Sequence, residues 1–151
     1  MLKMKSILSE EIRTGLIKRI NLLEEDSKPK WGKMKVDQMV RHCILWNDLS
    51  LGRVPSKQTF IGFLFGKLAL RKLLKDENPV PENMPTLPSL IIKDYTDNLE
   101  SNKQKWVEQL KEYGRSDDYS IIHPFFGKMN KDQIGKLAYK HTDHHLRQFN
   151  V

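Results

Sequence analysis

"KLAYKHTDHHLRQF", residues 136–149, places three of the chain's five histidines within five positions of one segment. The apolar residues of that segment recur at helical spacing. With about 100° per residue and Ile134 set to zero, Leu137 falls at about −60° and Ala138 at about +40°. On the same wheel His141 falls at about −20° and His145 at about +20°, the centre of the stripe. His144 lies at its edge, while Asp143 and Arg147 point outward. Two imidazoles one turn apart on an inward face are costly unless their polar atoms find partners. A divalent metal would supply one, since neutral imidazole nitrogens suit zinc, nickel, copper or iron and the i, i+4 spacing sets both rings on one side. The competing reading is a pair of hydrogen-bonded core or surface histidines, because HxxxH alone is a weak motif.

The same periodicity marks three further helices. One runs from a Ser9 cap through Ile12, Leu16, Ile20 and Leu23. A second starts near Lys35 and carries Val36, Met39, Val40, Cys43 and Trp46. A third is expected after "PTLPS", capped by Ser89, with Ile92, Tyr95, Leu99, Trp106, Leu110 and Tyr113 on its stripe and Gly114 as its stop. The fourth opens at Asn130. Strand-like alternation is confined to short ambiguous runs. The expected fold is all-α, a four-helix bundle without a sheet, in a single domain spanning residues 1–151.

Between the second and third helices lie some forty residues, 52–88, with five of the seven prolines. That is too many for a simple turn. The stretch contains "FIGFLFGKLALRKLLK", which reads as an extra helical insertion. Its plainest role is an elaborated crossover, with Phe60 to Leu74 helical and packed on its own chain. A sharper alternative is a lid or membrane-touching element with Lys67, Arg71, Lys72 and Lys75 on its polar side. Gly62 and Gly66 form a GxxxG, a spacing that carries little meaning outside a membrane span.

Composition narrows the classes. Hydrophobic residues at 38% and charged residues at 30% argue for a globular chain rather than a disordered one. Lys67 breaks the longest apolar run well short of the ~20 residues a membrane span needs. "MLKMKSILSEEIR" lacks an apolar core before a cleavage site, so no secretory signal is expected. The single cysteine, Cys43, forbids an internal disulfide. A cytoplasmic location follows as the expectation. The net charge of +7 raises the question of nucleic acid. The basic residues are spread thinly, however, and no recognised binding signature accompanies them, so no nucleic-acid partner is expected. No membrane partner is expected either, because Phe60 to Leu74 reads as packing on its own chain.

Two helix starts echo each other: "GKMKVDQ" at 32–38 and "GKMNKDQ" at 127–133. In the second, Asn130 and Gln133 can form a capping box; in the first, Lys35 leaves it incomplete. Counted from the glycine, His42 follows by ten residues and His141 by fourteen, one turn apart in offset. This suggests His42 and His141 as a facing pair.

"KWGKMKVDQMVRHC", "HPFFGKMNKDQ" and "HTDHHLRQF" together resemble the DinB/YfiT-like superfamily of four-helix metalloproteins, over most of the chain from Trp31 to Val151. The nearest likeness is to an uncharacterised branch with a longer middle insertion. The resemblance implies a metal held by one histidine of the second helix and an HxxxH pair of the last, here His42, His141 and His145. Many relatives end in HHxGQ, and Arg147 stands where glycine is usual. Some relatives are thiol-dependent S-transferases, which implies a low-molecular-weight thiol as a second cofactor.

Three histidines without a carboxylate or thiolate leave a coordination position open, as catalytic sites do. The expected function is a metal-dependent transferase or hydrolase acting on a small-molecule substrate, with zinc or nickel as the leading ion. The alternative is a non-catalytic binding protein with a structural or vestigial metal site. A homodimer is left open. Cys43 and His144 are the candidate fourth ligands that would close the site. Cys43 otherwise reads as a small buried hydrophobe, and His123 as a loop residue packing on Phe125 or Phe126.

Overall fold

The computed structural model describes residues 4–93, 98–115 and 117–151, and among them the chain is predominantly helical. Five α-helices form: α1 (Glu10–Asn21), α2 (Val36–Ser50), α3 (Phe60–Leu73), α4 (Leu99–Arg115) and α5 (Lys131–Gln148). A 3-10 turn, Pro88–Leu90, precedes α4, and a two-stranded antiparallel sheet, β1 (Ser120–His123) with β2 (Gly127–Asn130), precedes α5.

The cap chemistry of α5 reads directly from sequence to structure, whereas Ser9, at the cap position of α1, makes no side-chain cap bond. The Asn130 side chain accepts from the Gln133 N–H at 2.9 Å, and the Gln133 side chain accepts from the Asn130 N–H at 3.1 Å. This is a complete capping box. At α2 only the second half exists, with Gln38 accepting from the Lys35 N–H at 2.9 Å. The glycines that open the two echoing stretches, Gly32 and Gly127, both have positive φ, 76° and 73°. The echo is a shared way of turning into a helix.

The apolar stripes converge as their spacing demands. α2 packs against α4 and α5, and α1 packs against the same two helices. Leu16 and Ile20 of α1, Met39, Val40 and Ile44 of α2, Trp106, Leu110 and Tyr113 of α4, and Ile134, Ala138 and Leu146 of α5 share one buried cluster. A buried polar seam fixes α2 against α4: Tyr113 donates to the Asn47 side chain at 2.8 Å, and Gln109 donates to the Ile44 carbonyl at 3.2 Å and to Asp48 at 2.8 Å. That seam lies beyond His42 on α2 and holds the helix that carries it.

Three expectations need correction. The sheet was not expected. Its strands are four residues each, and in β1 the adjacent Ile121 and Ile122 hide the alternation, one turned inward and the other out. The third long helix does not start at Ser89. Pro88 there opens a 3-10 turn, Ile92 lies outside any helix, and Asn98 caps α4 by accepting from the Ser101 N–H at 2.8 Å. Tyr95 falls outside the described residues. Gly114 does not end α4, which runs through it to Arg115.

The middle segment is helical as expected but does not bury its apolar residues. α3 turns Gly62, Gly66 and Leu70 inward, while Phe60 is 76% exposed, Phe63 71% and Leu68 68%. The two glycines lie against the backbone of Pro124 to Phe126, the turn joining β1 and β2. The GxxxG spacing therefore does matter here: it brings a helix into backbone contact with a turn. Among the described residues no helix is long and apolar enough to cross a membrane.

Candidate metal centre

The packing of α2 on α5 brings His42, His141 and His145 together. His42 and His145 are buried and His141 is half-buried. One ring nitrogen from each lies within 4.8 Å of the others. The closest pair is His42 Nε2 and His141 Nε2, 3.1 Å apart. Two imidazoles bound tetrahedrally to a zinc-sized ion at about 2.0–2.1 Å lie about 3.4 Å apart, so this pair already stands at ligand spacing. The facing pair suggested by the echo thus meets across the two helices.

The outer nitrogens fix which inner ones carry a lone pair. His42 Nδ1 donates to the Leu90 carbonyl at 2.9 Å. His145 Nδ1 donates to the Gln148 side-chain oxygen at 2.9 Å, and Gln148 donates in turn to the Trp31 carbonyl at 3.0 Å. The amide's orientation is fixed by that last contact. A neutral imidazole that spends its proton on Nδ1 leaves a lone pair on Nε2. Both rings therefore present Nε2 as an electron-pair donor on the inward side. Trp46, one turn beyond His42, stacks on the His141 ring with centroids 4.3 Å apart and planes 12° from parallel.

Burial keeps these rings neutral. It pushes His145 down to about 3, helped by the nearby His42 and only partly opposed by Gln148. It lowers His141 well below the ordinary range, with His145 and His42 adding to the effect. His42 is lowered for the same reason, against the pull of the Leu90 carbonyl. Neutral imidazole is the form that binds metal.

The lesser candidates resolve individually. His144 is half-buried, bonds the Val80 carbonyl through Nδ1 at 3.3 Å and rests against Trp31. Cys43 is fully buried with its sulfur 3.7 Å from that of Met39, and burial raises its thiol well above the usual range. Neither joins the histidine group. His123 accepts from the N–H groups of Phe125 and Phe126 at 3.1 and 3.2 Å and packs on Phe126. It is a cap for the strand turn, and burial lowers it to about 4.

Sequence reasoning missed the supporting groups. Gln148 had a signal, since it lies three residues after His145 on the same face. The carbonyls of Leu90 and Trp31 had none, because any residue can supply a carbonyl.

A pH consequence follows for the protein stripped of metal with a chelator. His145 and His123 titrate near 3 and 4 when folded and near 6.5 when unfolded. Below pH 6.5 the unfolded chain takes up protons that the folded chain refuses. Their contribution is thus whole above pH 6.5 and lost as the pH falls, at about 1.4 kcal/mol per unit for each ring. Urea midpoints of the stripped protein should drop steadily from pH 7 to pH 5. Flat midpoints would mean that the rings are protonated or solvated in the fold.

A predominantly helical protein whose helices converge on three histidines able to hold a metal ion is the class that fold and site define. The family described as "Protein of unknown function (DUF1569)" matches residues 11–151, and the chain belongs to that family. No curated protein and no solved structure matches the chain.

Proposed function

We propose that this chain is a metal-dependent enzyme of the DinB/YfiT-like kind, with His42, His141 and His145 as the ligands of a divalent transition metal. The observation that carries this reading is the pinning of His42 Nδ1 and His145 Nδ1 by Leu90 and Gln148, which aims two lone pairs at the space His141 also faces. Hydrogen-bonded outer nitrogens are the usual support of metal-bound histidines. The competing core pairing, in which His141 donates its Nε2–H to His42 Nε2, would use only one of those two lone pairs.

Among the described residues no carboxylate, thiol or fourth histidine joins the group. Three protein ligands leave a position for substrate, and this favours a catalytic site over a closed structural one. Bound there, zinc or nickel would act as a Lewis acid, lowering the pKa of water or of a thiol. The chain's own part is to hold the three rings neutral, fix the tautomers of His42 and His145 and cover one face of the His141 ring with Trp46. The resemblance to thiol-dependent S-transferases makes transfer to or from a low-molecular-weight thiol the leading reaction, with hydrolysis second.

Cobalt-substituted protein titrated with a low-molecular-weight thiol tests this. Appearance of a saturable thiolate-to-metal charge-transfer band supports the transferase reading. Loaded protein that shows no band at any thiol concentration removes it and leaves hydrolysis. Gln148→Leu should keep the fold and weaken metal affinity about 10- to 100-fold, because it frees the His145 ring. Chelator competition measures this directly, and unchanged affinity would remove Gln148 from the site.

A further inference from the structure

α3 is built inside out. An ordinary surface helix turns large apolar residues inward and polar ones outward. Here the inward stripe is Gly62, Gly66 and Leu70, and the large side chains face water: Phe60, Ile61, Phe63, Leu64, Phe65 and Leu68 are all more than half exposed. At about 100° per residue, the arc from Phe63 round to Phe65 covers about 200° of the helix. The glycines hold the helix against the Pro124–Phe126 backbone, and Thr59 caps its start by accepting from the Gly62 N–H at 3.1 Å. The apolar face is therefore presented by a docked, capped helix.

Charge is segregated along the same helix. The first two turns carry no basic residue, whereas Lys67, Arg71, Lys72 and then Lys75 occupy the outward side of the last two turns and the exit. Arg71 and Lys72 pair with no acidic group among the described residues. Arg71 lies about 12 Å along the axis from Phe63, at 1.5 Å per residue. Helices that lie in a bilayer interface bury their apolar part about 5–10 Å deep and keep basic groups at the phosphates. The 14 residues of α3 reach about 21 Å, too short to span.

We propose that α3 is a docking element for an anionic lipid bilayer, its Phe60–Phe65 end immersed and its Arg71, Lys72 and Lys75 end at the headgroups. The charge pattern chooses this occupant over a second copy of the chain, since pairing two copies side by side through α3 would bring together Arg71 and Lys72 of both, four cations with no acidic partner among the described residues. The arc chooses it over a protein groove, because lipid surrounds a convex apolar tip on all its open sides. It also reverses the expectation of no membrane partner, which rested on the segment packing inward.

Co-sedimentation of the full chain with vesicles of phosphatidylcholine alone, and of phosphatidylcholine with phosphatidylserine, tests the proposal. The wild type should bind the anionic vesicles and bind the neutral ones far less. Phe63→Ser with Leu64→Ser should lower the partition coefficient at least roughly tenfold, since each large apolar side chain withdrawn from water is worth about that much. Both positions are exposed, so a thermal melt should match the wild type. Arg71→Glu with Lys72→Glu should abolish the preference for anionic lipid. The proposal is overturned if the wild type stays in the supernatant with anionic vesicles, or if both double variants bind as the wild type does. It is equally overturned if sedimentation finds a dimer that Phe63→Ser with Leu64→Ser dissolves, because the face then belongs to a second copy.

Discussion

His145→Ala should abolish metal uptake, while His144→Ala, its immediate neighbour, should leave it intact. The contrast follows from one residue of helical rotation. His145 sends Nε2 into the group with His42 and His141, whereas His144 turns to the Val80 carbonyl and Trp31. Deleting one of three imidazoles leaves a two-ligand site that cannot hold a borderline ion against buffer. His141→Ala and His42→Ala should fail in the same way, although His42 lies on a different helix. Occupancy of the wild type should persist below pH 6, where an ordinary imidazole takes up a proton, because burial holds these ligand nitrogens neutral. Metal content per chain after gel filtration reads all four variants. Loss in His144→Ala with retention in His145→Ala would reverse the assignment. Wild-type behaviour in all four would return the histidines to the core.

The second large effect concerns a sign. Gly→Ala inside an exposed helix ordinarily stabilises by about 1 kcal/mol. Gly15 of α1 should follow that rule, as nothing lies within 4 Å of where a Cβ would stand. Gly66→Ala should do the opposite. A Cβ there would overlap the Phe125 carbonyl oxygen and lie 2.9 Å from its carbon. Backbone cannot swing aside as a flexible side chain would, so α3 must separate from the β1–β2 turn. Overpacking of this kind costs about 1–3 kcal/mol. Thermal midpoints should therefore move in opposite directions for the two variants. A Gly66→Ala midpoint at or above the wild type would show that α3 is not held by backbone contact.

How far the sequence discloses this arrangement depends on what each feature is made of. α1, α2 and α5 are legible because burial repeats every three or four residues, and α5 also announces its start through local chemistry. The Asn130–Gln133 box is the clearest case. α4 is legible along its stripe but not at its start, since Pro88 and Ser89 suit a 3-10 turn as well as a helix N-terminus. The strands are too short for alternation to outvote chance. The histidine group is half legible: i, i+4 spacing announces His141 and His145, and the GKM echo points to His42. What holds those rings in place comes largely from backbone carbonyls at Leu90 and Trp31, which no residue type betrays. α3 misled for a physical reason. Apolar density implies burial, yet the residues that make its closest contact are glycines, whose contribution is the absence of a side chain.

The central claim is that His42, His141 and His145 bind one ion together. X-ray absorption at the zinc edge, on protein loaded with zinc and freed of excess ion by gel filtration, tests it most directly. The account predicts three imidazole nitrogens at about 2.0 Å with the remaining coordination made by oxygen from solvent. A sulfur shell at about 2.3 Å, which would place Cys43 on the ion, or a protein fraction that carries no zinc at all, would contradict it.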